Sequence, residues 1–243
     1  MSYFQRAVLS GVAVIALAGF SAPASAITMQ AVYTGTVSSG FDVTGLFGLG
    51  ANSDLSGQNF TMTFIYDPDT PGAYRVTDST TDSVSGATNS VFTNPMLSAM
   101  ITINGHSESA AGDTQGSASN AHPGGGVSQT DHQAYDFYDV GSTNVYRYIT
   151  GGAVLSSLEI PLDLETAFSL DQGFGQFELR DYDYVNQQGT YFSRGTLNAT
   201  HLIVSRYGDV AAVPLPAALP LLLSGFAGLG ILARRRGRTK TAV

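Results

Sequence analysis

Asn59-Phe60-Thr61-Met62-Thr63-Phe64-Ile65-Tyr66 has a hydrophobic period of two, is rich in β-branched and aromatic residues, and runs into the turn residues Asp67-Pro68-Asp69. That pattern predicts a β-strand closed by a turn. Working outward, the same period recurs in 33–37, 96–104, 134–140, 145–149, 153–160, 175–184, 190–192 and 196–207. Gly141-Ser142-Thr143-Asn144, Asp171-Gln172-Gly173 and Asn186-Gln187-Gln188-Gly189 separate several of these runs as turns. No stretch offers an amphipathic helix longer than two turns. Leu162 to Leu170 is the best helical candidate, closed by Gly173 and Gly175. Segment 40–57 carries five glycines in 18 residues and reads as a long loop. Roughly eight to ten short strands with glycine-rich turns predict an all-β fold, an antiparallel β-sandwich or jelly roll.

Composition divides the 243-residue chain into three parts. All 19 acidic residues fall in 27–212, against the five arginines Arg75, Arg147, Arg180, Arg194 and Arg206 and no lysine. The formal charge of −8 therefore conceals a middle part near −14. Such a balance argues against nucleic-acid binding, which depends on basic patches. The absence of Cys excludes disulfides, a thiolate nucleophile and thiolate zinc sites. About 186 residues are enough for one domain with its own core.

The two ends read as addresses. In 1–26, Arg6 precedes an uncharged apolar run over 7–20, Pro23 breaks it, and Ala24-Ser25-Ala26 fits the small-x-small rule of signal peptidase. The expected mature chain starts at Ile27. At the other end, 213–243 opens with Val213-Pro214-Leu215-Pro216-Ala217 and continues as an uncharged stretch over 215–233. Nineteen residues of helix at about 1.5 Å each span close to one hydrocarbon thickness. Arg234, Arg235, Arg236, Arg238 and Lys240 follow, and place that end in the cytoplasm by the positive-inside rule. Leader and tail thus predict the same topology, with 27–212 outside.

The order of proline motif, hydrophobic span and basic end resembles the PEP-CTERM class of bacterial sorting signals, in its VPLPA-CTERM variant at Val213 to Ala217. The resemblance implies that the chain belongs to a Gram-negative bacterium that makes extracellular polysaccharide. It also implies processing near the motif by a membrane-embedded exosortase, so that the helix holds the chain in the inner membrane only transiently. Tyr33 to Gly35, Leu55 to Gly57 and Phe64 to Asp67 are similar to the opening of many PEP-CTERM exported domains, which again implies a β fold.

His106, His122 and His132 with Asp131 are zinc or copper ligands by type, but they lie in 106–133, a Ser-, Gly- and Ala-rich stretch that reads as a flexible, solvated loop. Asp67, Asp69 and Asp78, with Gly72 between, partly follow a calcium-loop pattern, although Pro71 stands where an oxygen ligand belongs and a Pro-fixed turn reads better. Glu108, Glu159, Glu165 and Glu178 are the glutamates available for glycoside hydrolysis. Glu178 and Arg180 fall on one strand face, opposite to Phe177 and Leu179, where an ion pair accounts for them without catalysis. No G-x-S-x-G, H-E-x-x-H or P-loop is present. Tyr135, Tyr138, Tyr146, Tyr148, Tyr182, Tyr184 and Tyr191 cluster in sequence, with Asp136, Asp139, Asp181 and Asp183 nearby. Such rings stack on sugars, or pack across strands. The expectation is an exported, non-enzymatic surface or matrix protein that needs no cofactor. A carbohydrate- or calcium-dependent adhesion module is the first rival, and a surface polysaccharide hydrolase the second.

Overall fold

The computed structural model describes residues 27–88, 90–110, 115–140, 143–183 and 188–208. The leader at 1–26, the sorting motif from Val213, the span at 215–233 and the basic cluster lie outside them. Among the described residues the chain is all-β and antiparallel, with 13 strands and no helix. Accordingly, no described helix is long and apolar enough to cross a membrane.

The strands are β1 (Met29–Asp42), β2 (Ser53–Asp54), β3 (Asn59–Tyr66), β4 (Tyr74–Thr77), β5 (Thr81–Ala87), β6 (Met96–Ile103), β7 (His106–Ala110), β8 (Gln115–Gly124), β9 (Val127–Val140), β10 (Thr143–Leu155), β11 (Phe168–Leu170), β12 (Gly173–Asp183) and β13 (Gln188–Arg206). They form one sheet in the order β4-β5-β8-β9-β10-β12-β13-β1-β3-β6-β7, with β2 on β1 and β11 on β13. The outermost described strands of the chain, β1 and β13, pair in the middle of this path, Met29 opposite Arg206 and Asp42 opposite Ser193. Register shifts near Gly35 and Ser39 on β1 mark bulges, which bend and twist a sheet locally. The sheet curls until β3, β6 and β7 lie against β8, β9 and β10. The expected pair of separate sheets is thus replaced by one sheet packed on itself.

Alternation decides which side faces the core. On β3, Phe60, Met62, Phe64 and Tyr66 are buried while the residues between them face outward, as the period of two requires. Met29, Ala31, Tyr33 and Val37 do the same on β1. On β10 and β12, Gly151 stands opposite Gly175 and leaves a shallow floor. A Cβ on Gly151 would meet Met62 Cε at 2.5 Å and the Tyr33 ring at 3.0 Å, so two core side chains occupy the space that glycine frees.

Three expectations are corrected. The segment 106–133 is not a loop: it supplies β7, β8 and the first half of β9. Its small residues are what allow it. Gly116, Ala118 and Asn120 turn inward on β8, and a Cβ at Gly116 would stand 2.2 Å from Met96 Cβ, so only a flat strand passes under β6 here. The helical candidate at 162–170 is instead a turn followed by β11. Leu164 is inserted into the core, its N–H donates to Asp82 Oδ2 (3.0 Å), and Asp163 Oδ1 accepts from Glu165 N–H (2.8 Å). Finally, 40–57 contains the end of β1 and all of β2, and its loop is ordered by Asp42. The buried carboxylate accepts from Gly45 N–H (2.9 Å) and Phe47 N–H (2.8 Å), which draws Phe47 onto Phe177 in the core.

Candidate functional site

The register builds one broad outward surface from β9, β10, β12, β13 and β1. Gln133 stands opposite Thr150, Thr150 opposite Gln176, Gln176 opposite Thr196, and Thr196 opposite Ser39. This row is polar and uncharged. On one side of it runs Tyr135–Tyr148–Glu178–Arg194–Phe41, and on the other Asp131–Gly152–Phe174–Asn198. The rows are neighbours because strand residues two apart share a face.

Aromatic and guanidinium groups form a continuous band along the first flank. Tyr135 and Tyr148 stack with centroids 4.5 Å apart, and Tyr146 packs beside both. The Arg180 guanidinium lies 4.5 Å over Tyr146, and Arg194 lies 4.6 Å over Tyr191 and 4.8 Å over Phe41. Cation–π contacts hold these flexible cations against flat ring faces. Burial raises the pKa of Tyr135 and Tyr146, so both remain hydroxyl donors across the physiological range.

Two clefts open on the surface. One, of about 390 Å³, is lined by Asp131, Gln133, Tyr148, Thr150, Val154, Phe174 and Gln176 among others. Its polar groups are already ordered: Tyr135 Oη donates to Gln133 Oε1 (3.4 Å), Gln133 Nε2 donates to Asp131, and Thr150 Oγ1 donates to Asp131 Oδ1 (3.3 Å). Burial lifts the Asp131 carboxyl above the usual carboxylate range, against the pull of those two donors. The other cleft, of about 540 Å³, is lined by Ser39, Phe41, Gln176, Glu178, Arg194 and Thr196 among others. Gln176 lines both, so the clefts adjoin at that residue.

The sequence candidates are dispersed. His132 is fully buried, with Nδ1 2.8 Å from Tyr33 Oη and its ring among Tyr33, Phe64 and Tyr66. Burial pushes its pKa down to about 3, so the ring is neutral. His122 Nε2 instead bonds Ile160 O (2.8 Å), and exposed His106 starts β7. Among the described residues no group of three His, Asp or Glu side chains is placed to hold a metal. The calcium candidates serve their own turns. Asp67 accepts from Asp69 N–H, Asp69 pairs with Arg75 (3.3 Å), and Asp78 accepts from the N–H groups of Thr80 and Thr81.

The glutamates are likewise apart. Glu108 pairs with Arg147 (3.7 Å), and Glu159 lines a separate small cleft. Glu165 shares Arg75 with Asp69 and Asp82, and burial with neighbouring carboxylates raises its pKa. Glu178 alone reaches the broad surface, opposite Arg194 and Tyr148. Asp136 faces inward, in register with Arg147, and so does not flank the tyrosines from outside. Tyr184 and the side chains of Tyr138, Tyr182, Asp139, Asp181 and Asp183 lie outside the described set. Arg194, Phe41, Phe174, Gln133, Thr150 and Gln176 were not site candidates on the sequence alone. Outward alternation was their signal, but only register makes five distant strands neighbours.

Compared with family models, with curated proteins and with solved structures, the chain matches none of them.

Proposed function

We propose that the chain is an exported, sorted cell-surface or matrix protein whose β domain contacts extracellular polysaccharide without catalysing a reaction. Export and sorting rest on the leader, with cleavage after Ala26, and on the Val213 to Ala217 motif with its span and basic end. Signal peptidase and an exosortase-like enzyme are its processing partners. The polysaccharide contact rests on one observation, the band of tyrosine and arginine groups beside two adjoining polar clefts. Aromatic faces take the apolar faces of sugar rings, and fixed amides, hydroxyls and carboxylates take the hydroxyl groups. Calcium dependence is disfavoured, because the acidic turn residues are already engaged by N–H groups and Arg75. Hydrolysis is disfavoured because Glu178 is opposite a cation rather than a second carboxylate.

Native affinity electrophoresis through gels that contain polysaccharide tests the contact. Retardation of the wild-type protein, reduced at least threefold in Tyr148→Ala, is the expected result. Unretarded migration in every gel defeats the reading.

A further inference from the structure

The two clefts line up across the strands, not along them. Their shared floor is the uncharged row Gln133, Thr150, Gln176, Thr196 and Ser39, one residue from each of five adjacent strands. One wall carries Asp131 together with Val154 and Phe174, both half exposed, and the other carries Tyr148, Arg194 and Phe41. Strands lie about 4.8 Å apart, so four steps from β9 to β1 make a groove about 19 Å long. A hexose unit in an extended chain is about as long as one strand spacing, so the groove holds about four units. Beyond β9 the row continues on the small side chains Ser117 of β8 and Ser85 of β5 and ends at the half-exposed Tyr74 of β4.

Charge narrows the ligand further. The floor holds no charge, Asp131 and Glu178 flank it, and the exported part is near −14. Asp131 and Glu178 balance Arg180 and Arg194 beside the groove, so a polyanion finds no net attraction there and meets the repulsion of the acidic remainder. A single sugar would use one step of a groove that offers four. We propose that the groove binds an internal stretch of an extended, uncharged polysaccharide laid across the strands, about one hexose to each of the four strand-to-strand steps from Gln133 to Ser39. This rests on the polysaccharide contact proposed above and specifies its ligand class and direction.

The test is titration calorimetry on the full-length protein in mild detergent. The probes are neutral β-linked gluco-, manno- and galacto-oligosaccharides of two, four and six units, with polygalacturonate and alginate as acidic polymers. Affinity rises at least tenfold from two units to four in at least one neutral series and less than threefold from four to six. The acidic polymers bind at least tenfold more weakly per binding segment. Thr196→Trp, an exposed change that fills the floor, abolishes the gain beyond two units. Equal affinity for two and six units, or stronger binding of the acidic polymers, overturns this proposal and leaves the polysaccharide contact standing. Failure of every polymer to bind overturns both.

Discussion

His132 makes the protein sensitive to acid in a way that can be worked out from its surroundings. The ring is sealed among Tyr33, Phe64 and Tyr66, and its one protein hydrogen bond in the described core goes to Tyr33. Desolvation pushes its pKa from 6.5 to about 3. Below pH 6.5 the unfolded chain therefore binds a proton that the folded protein refuses, and stability falls as pH drops. At about 1.4 kcal/mol per pH unit, the gap amounts to about 5 kcal/mol by pH 3, with about 3 kcal/mol already lost at pH 4.5. Asp131, whose carboxyl is raised by burial, works in the opposite direction, because acid favours its folded form. A difference between variants removes that contribution. Urea unfolding of wild type and of His132→Phe is measured at pH 7.5, 6.0 and 4.5, with His132→Gln as a second reference. The expected result is that each variant gains about 3 kcal/mol on wild type between pH 7.5 and 4.5, whatever its stability at neutral pH. A difference that stays constant within 0.5 kcal/mol would show that the ring protonates freely when folded, and the reasoning from burial would be wrong.

Other consequences follow from the packing and the charges. Gly116→Ala places a Cβ against Met96 Cβ and Asn94 Oδ1, and costs about 1–3 kcal/mol by thermal or urea unfolding. An unchanged midpoint would mean that β8 does not pass so close to β6. Arg75→Gln leaves Asp69, Asp82 and Glu165 facing one another, with Asp82 nearly buried. About 2–4 kcal/mol is lost at pH 7, less than for a fully buried pair because Arg75 is about a quarter exposed. The loss shrinks as the carboxylates are protonated, and an equal loss at pH 3.5 and 7 would contradict this account. For the sorting reading, intact-mass measurement of surface-extracted protein is expected to show a C-terminus near Pro214 to Ala217. A chain that still carries Arg234 to Val243 would exclude removal of the tail.

Legibility differed between elements for physical reasons. β3 was readable because large apolar and polar residues alternate from Asn59 to Phe64 and β-formers continue to the turn at Asp67. β8 was unreadable because its inward residues are Gly116, Ala118 and Asn120, which bury little apolar area by themselves. Their place in the core depends on β6 above them, and composition alone cannot register that. The 162–170 segment misled because Leu164 and Leu170 both face the core, but from a turn and a strand. Asp82, which lies 82 residues from Leu164, holds that turn. Of the candidate surface, Tyr135, Tyr146, Tyr148, Tyr191 and Glu178 were visible as residues. Their assembly with Phe41 and Arg194 was not.

Strand period, the acidic and lysine-free middle, and the two apolar ends with their charge asymmetry are written in side-chain order. Those properties are local: they depend on side-chain order along a few residues. The tertiary structure alone decided that β1 and β13 pair at the centre of one curled sheet, which brings Ser39 and Phe41 beside Thr196 and Arg194. It also decided that His132 is a core ring and not a ligand. Register and burial are long-range properties, set by which strands share hydrogen bonds, and the physics that fixes them acts between residues more than 150 positions apart.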